Sequence, residues 1–256
     1  MSTPVALTIA GSDPSGGAGI QGDLKTFHQF GVYGEAVITL ITAQNSRGVE
    51  CVRVLDAELV AAQIRAVVED IRPSAGKIGA IGNREVAEAV AHLAGGFDFP
   101  LVIDPVMMST NGIGLADLDA ISPLLRHAFL LTPNLGEASA LCGFRVDDLD
   151  SMRRACTFLL QQNTSNVLVK GGHLSGDAVD VLKSDGELRE FRGPRIETAH
   201  THGTGCAYSA AITAELAKGT ALIEAVERAK AWLTEAIRSN PGLGGGSGPL
   251  DFFARV

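Results

Sequence analysis

Short apolar runs alternate with longer amphipathic ones along nearly the whole chain. The short runs predict strands over 5–10, 35–41, 51–55, 75–78, 101–103, 129–131, 167–169, 179–183 and 188–191. Apolar residues recurring three and four apart predict helices over 17–30, 57–71, 84–94, 118–126, 135–142, 149–163, 205–217 and 221–239. Strands that alternate with helices pack as a mostly parallel sheet covered on both faces, so the chain is expected to form a single α/β domain over 1–256. Ligand groups in such folds gather at the carboxyl ends of the strands. Ser184-Asp185-Gly186 between the last two runs predicts a hairpin and hence an antiparallel edge.

Two glycine-rich segments stand out against this pattern. Thr201-His202-Gly203-Thr204-Gly205-Cys206 feeds a run of small helical residues. The N–H groups of Gly203 to Cys206 would form an anion site backed by the helix dipole. A thiol there would have its pKa lowered, which makes Cys206 a candidate base; a tight turn with a buried cysteine is the plainer reading. Residues 10–21, AGSDPSGGAGIQ, lie between the first strand and the first helix. They lack the GxGxxG and GxxxxGK[ST] spacings, and form a loop that lets a ligand approach the backbone, with Asp13 and Asp23 as nearby acceptors.

Polar residues at strand ends add candidates. Asp104 follows an apolar run and precedes Pro105, so it stands at a strand tip or caps a turn. Glu137 begins a helix, where the dipole favours a carboxylate. Lys170 ends a strand and offers a cation to a phosphoryl group, or is simply solvated.

Composition narrows the classes. Twenty-nine acidic against 21 basic residues leave a net charge of −8 with no basic stripe, which argues against a nucleic-acid surface. No leader pattern or bilayer-length apolar run is seen, so a cytoplasmic protein without membrane partners is expected. Cysteines 51, 142, 156 and 206 have neither disulfide-framework nor zinc spacing.

Seven blocks run along the chain: AGSDPSGGAGIQGDLKTF at 10–27, Thr42-Ala43-Gln44-Asn45, Lys77-Ile78-Gly79, Asp104-Pro105-Val106-Met107, Thr132-Pro133-Asn134 with Glu137-Ala138, Lys170-Gly171-Gly172-His173, and His202 to Cys206. Together they resemble the hydroxymethylpyrimidine and phosphohydroxymethylpyrimidine kinases of thiamine biosynthesis, a branch of the ribokinase-like superfamily. The resemblance implies a ribokinase-like three-layer α/β/α sandwich and ATP-dependent phosphorylation of an aminopyrimidine alcohol and its monophosphate. It implies magnesium near Asp104 and Glu137, and phosphate held by Gly203, Thr204, Gly205 and Lys170. Cys206 would accept or orient the substrate proton; Gln44 would meet the aminopyrimidine edge, with Gly11, Asp23 and Met107 completing the pocket. A homodimer is implied by the same analogy. Replacing Cys206 with Ala is expected to cost orders of magnitude in turnover and to spare nucleotide binding.

Three departures from the family pattern are visible. Ala80 stands where methionine is common, a lysine is missing near Thr110, and the histidine usual after the C-terminal GP pair is absent. The glycine-rich segment 242–256 reads either as a flexible tail or as a cover for the nucleotide. Pyridoxine or pyridoxal phosphorylation is an alternative on the same fold, and a ligand-binding protein that has lost catalysis is a third reading.

Overall fold

The computed structural model describes residues 3–107, 114, 118–162, 164–172, 174 and 176–255. The described strands are β1 (Val5–Ser12), β2 (Tyr33–Asn45), β3 (Gly48–Val54), β4 (Ala75–Ile78), β5 (Leu101–Ile103), β6 (Leu130–Leu131), β7 (Val167–Val169), β8 (Ala178–Ser184) and β9 (Glu187–Gly193). They form one sheet in the order β3-β2-β1-β4-β5-β6-β7-β8-β9. The segment from β2 through β7 is parallel, while β3 pairs antiparallel with β2 and the β8–β9 hairpin closes the other edge antiparallel. The helices are α1 (Gly19–Gln29), α2 (Ala57–Asp70), α3 (Arg84–Ala94), α4 (Leu118–Leu125), α5 (Leu135–Cys142), α6 (Leu149–Leu160), α7 (Thr204–Ala217) and α8 (Leu222–Arg238).

The period-two alternation of the strands distributes their side chains to the two faces. Leu7, Ile9, Leu101, Ile103, Val167 and Val169 join one core, which α2, α3, α4, α5 and α6 cover. Ala6, Val102, Leu130 and Leu168 join the other, beneath α1, α7 and α8. The result is the expected three-layer sandwich. Helix α7 is buried on nearly all sides from Ala207 to Ala217. Its alanines let it lie close to the sheet, where bulkier side chains would hold it off. Helix α1 starts at Gly19, two residues later than the apolar pattern suggests, because the N–H groups of Gly16 and Ala18 are used within the preceding loop.

Glu35 on β2 carries a local cost. Its Oε2 is buried with no hydrogen-bond partner among the described residues, and burial, with Asp70 nearby, pushes the carboxyl from 4.5 up to about 7. Below the lower value both folded and unfolded chains hold the proton; between the two values the folded chain holds it preferentially. Stability from this group therefore falls as pH rises through that window and stays low above it. Glu35→Gln should melt above the parent at roughly pH 8, with the advantage shrinking toward pH 5. Thermal melts at the two pH values check this, and a difference independent of pH would contradict it.

Candidate active site

Two loops rich in small residues meet at the carboxyl ends of the parallel strands. Asp13 organises the first: its Oδ1 accepts the Ser15 N–H at 2.8 Å and its Oδ2 the Ala18 N–H at 2.9 Å. The Asp13 N–H in turn donates to Gln21 Oε1 at 2.9 Å. The second loop enters α7 through Gly203, whose φ is 79°. A side chain there would collide with the Gly17 carbonyl, so glycine is what lets the two loops touch. No side chain caps α7, and the N–H groups of Gly205 and Cys206 belong to the first helical turn, where they have no intrahelical acceptor. The Thr204 N–H makes a long bond of 3.3 Å to the Thr201 carbonyl.

Lys170 and Asp104 stand beside that turn. The Lys170 Nζ lies 2.6 Å from Asp104 Oδ1, and a Cβ placed at Gly205 would sit 3.4 Å from the same Nζ. Thr132 and Ser209 approach Asp104 at 3.3 and 3.2 Å. Burial alone would raise the Asp104 carboxyl, but Lys170 and Lys77 outweigh it and hold it below the usual range. Burial alone would likewise lower Lys170, but Asp104 and Glu137 keep it a cation. Glu137 fills its plainer role as an acid in the first turn of α5. It caps α5 reciprocally with Asn134, through bonds of 2.8 and 2.9 Å, and it also takes the Met107 backbone N–H. Burial, only partly offset by Lys170, pushes its carboxyl up to about 7.

The structure corrects the expectation for Cys206. Burial pushes the thiol up to about 11 despite the pull of nearby Lys77 and the Gly19 N–H, so at neutral pH it is a thiol and not a thiolate. Asp23 is also displaced from its expected role. Its Oδ1 accepts Lys77 Nζ and its Oδ2 accepts Thr8 Oγ1, each at 2.6 Å, and both Lys77 and Asp23 side chains are fully buried. Asp23 is therefore closed off from direct contact with a ligand. Burial would neutralise Lys77, but Asp23 and Asp104 keep it protonated.

Gln44, on the β2–β3 side, reaches across to His202, which also contacts Asp13 at 2.8 Å. Gly11 is buried under Leu40 and lies near Ala80, where a Cβ on the glycine would come 3.7 Å from that of Ala80. Positions Thr110 and His173 lie outside the described residues. The glycine-rich segment is not a free tail. Side chains at Gly244, Gly245 and Gly246 would strike Ser46 and Arg47 of the β2–β3 turn, so the absence of side chains there allows docking. Beyond them, the His202 N–H donates to the Gly248 carbonyl at 3.1 Å and His202 bridges to Pro249.

Residue-type reasoning gave no role to Lys77, His202, Thr42 or Ser209. Lys77 did carry a signal, since a lysine inside an otherwise apolar buried strand requires a counter-charge. His202 and Ser209 gave none beyond lying in or just after a glycine-rich segment, and Thr42 none beyond its place beside Gln44.

With this geometry in hand, the likenesses are informative. The family model for phosphomethylpyrimidine kinase matches residues 13–251. A hydroxymethylpyrimidine/phosphomethylpyrimidine kinase of Streptomyces coelicolor is 47% identical, over 97% of this chain and 94% of that protein. A phosphomethylpyrimidine kinase structure from Clostridium difficile is 42% identical with a TM-score of 0.80, covering 91% of this chain and 99% of that one. The ADP complex of Bacillus subtilis pyridoxal kinase superposes with a TM-score of 0.90 at 37% identity, covering 99% and 98%. The matched family spans both glycine loops, the Asp104–Lys170 pair and the Gln44–His202 contact, and the chain belongs to the phosphomethylpyrimidine kinase family.

Proposed function

We propose that this protein transfers the γ-phosphoryl group of ATP to the hydroxymethyl oxygen of 4-amino-5-hydroxymethyl-2-methylpyrimidine, and then phosphorylates the monophosphate to the diphosphate in thiamine biosynthesis. The observation that carries the reading is the convergence of Lys170, Asp104 and the uncapped first turn of α7, with Gln44 and His202 beside them. The hydroxymethyl oxygen forms the new bond to phosphorus, the bond to the β–γ bridging oxygen breaks, ADP leaves, and the hydroxyl proton passes to a phosphate oxygen or solvent. Such a transfer needs positioning and charge stabilisation more than covalent chemistry. The amides of Gly203, Thr204, Gly205 and Cys206 and the Lys170 ammonium would hold the phosphoryl oxygens as charge spreads over them.

Magnesium belongs to the same proposal. Among the described residues no cluster of three metal-ligating side chains forms, and the oxygens of Asp104 already meet Lys170, Thr132 and Ser209. Two carboxylates of this kind suit a hydrated ion carried on the nucleotide, which Asp104 and Glu137 would hold through its water. When bound, it neutralises phosphate charge. A homodimer completes the reading, with the exposed Ile41 of β2 as an apolar residue for a second copy to cover. A cytoplasmic enzyme, drawing on the ATP made there, is part of the same reading; no helix among the described residues is long and apolar enough to cross a membrane.

ADP release measured separately with the alcohol, its monophosphate and pyridoxal tests the proposal. Turnover of the alcohol and monophosphate is the expected result. Turnover of pyridoxal alone would move the assignment to vitamin B6 salvage, and silence on all three would mark a non-catalytic protein.

Because Cys206 is a thiol, its contribution is orientation of the hydroxyl instead of strong-base catalysis. Cys206→Ala is accordingly expected to lower turnover by at most ~10²-fold, the low end of general acid–base contributions. The nucleotide Kd should hold, and iodoacetamide at neutral pH should modify the exposed Cys51 before Cys206. Rapid alkylation of Cys206 ahead of Cys51 would show it to be a thiolate.

A further inference from the structure

His202 is 4% exposed, and its Nε2 lies 2.8 Å from Asp13 Oδ2 and 3.2 Å from the Gln44 amide. Burial would raise the Asp13 carboxyl, but bonds from His202 and Ser15 outweigh it and hold the group below its usual range. An ionised carboxylate only accepts, so Nε2 of His202 must carry the hydrogen. A nitrogen that donates cannot also accept from an amide N–H. The amide as placed sets its Nε2 on His202, and these partners require it turned end for end, so that the oxygen, Oε1, faces His202 and shares the single hydrogen on the His202 Nε2 with Asp13.

The other end of the amide gives the same answer independently. Thr42 Oγ1 lies 3.3 Å from it and 3.0 Å from the Ser12 carbonyl oxygen. That carbonyl only accepts, so it takes the single hydroxyl hydrogen of Thr42 and leaves the Thr42 oxygen as an acceptor. The amide nitrogen of Gln44 must then face Thr42. Amide ends are assigned by their partners, and two partners on different elements agree here. The His202 ring is itself held in place. A Cβ at Gly17 would lie 2.6 Å from its Cδ2, and its backbone is tied to Gly248.

With these contacts made, Gln44 retains one N–H and one oxygen lone pair, each on a fixed side. An aminopyrimidine edge sets a ring nitrogen, an acceptor, beside an exocyclic amine, a donor. An amide in one orientation matches that pair, and in the other sets donor against donor. Pyridoxal has no amine beside its ring nitrogen and gains nothing from the fixed order. We propose that His202 and Thr42 are specificity-determining residues that lock the Gln44 amide in the orientation matching an aminopyrimidine edge. This rests on the reading of Gln44 as the residue that meets the ring.

The test measures KM and kcat for the aminopyrimidine alcohol, KM for ATP and the inhibition constant of pyridoxal, in the parent and in Thr42→Val, Thr42→Ser and His202→Phe. Thr42→Val should raise KM for the alcohol about tenfold, the worth of one hydrogen bond, with the effect falling on KM and not on kcat. The pyridoxal inhibition constant should change less than twofold, so the preference between the two ligands narrows about tenfold. Thr42→Ser should restore the parent value, and His202→Phe should follow Thr42→Val. If His202→Phe does not fold, the Thr42→Val and Thr42→Ser pair decides. An unchanged KM for the alcohol in Thr42→Val, or an equal weakening of both ligands, overturns the proposal while leaving the kinase reading intact. A parent enzyme that does not phosphorylate the alcohol overturns both.

Discussion

Gly203→Ala is expected to lower kcat by about 10²–10³-fold, the typical cost of removing one donor from a site that stabilises developing negative charge. Position 203 has φ of 79°, which alanine adopts only with strain, and its new Cβ would be driven into the Gly17 carbonyl. Relief requires the two glycine loops to part or the start of α7 to shift. Either movement withdraws the amides of Gly205 and Cys206 from the place where Lys170 and Asp104 now hold charge beside them. The strain also costs stability, so the loss in kcat is read on folded protein, well below the variant's own melting temperature. Rate measurements by ADP release, paired with calorimetric nucleotide binding, check this. A kcat within threefold of the parent would mean that contact between the loops is not needed.

Lys77→Met should destabilise the protein by about 3–5 kcal/mol, because it leaves Asp23 buried without its counter-charge. For a domain of this size that corresponds to a fall in Tm of roughly 6–20 °C. The pair lies at 2.6 Å with both side chains at zero exposure, so water cannot replace the missing ammonium. Lys77→Met combined with Asp23→Leu should recover much of the loss, since the desolvation cost then disappears with both charges. Thermal and denaturant melts of the three variants are the measurement. Equal stability of the single and double variants would show that the carboxylate is accommodated alone. The single variant should also leave Cys206 harder to alkylate, because Lys77 is the cation that pulls its thiol down.

Different parts of this molecule were legible in the sequence for different physical reasons. Strand periodicity was readable because buried parallel strands leave near-continuous apolar runs, and Glu137 was readable as an acid at a helix start, whereas its reciprocal cap with Asn134 came only with the structure. Asp104 and Lys170 were readable as strand-end groups, but their 2.6 Å pairing joins residues 66 positions apart and depends on sheet order. The Cys206 expectation failed because the dipole of α7 is a local property, whereas burial of the thiol is set by elements distant in the chain. Asp23 looked accessible on a helix beside a loop until Lys77 of β4 sealed it. The glycine-rich segment left two readings open, since a composition suited to freedom also suits close docking against Ser46 and Arg47.

The unequal coverage of the sheet has a consequence for synthesis on the ribosome. One face receives its helices α2 to α6 progressively as the chain emerges, but the other has only α1 until α7 and α8 arrive with residues 204–238. At ordinary elongation rates of about 5–20 residues per second, Val102, Leu130 and Leu168 wait for seconds with that face largely bare. Newly made chains should therefore engage chaperones late in translation, and a stalled chain ending before α7 should aggregate where one ending after α8 folds.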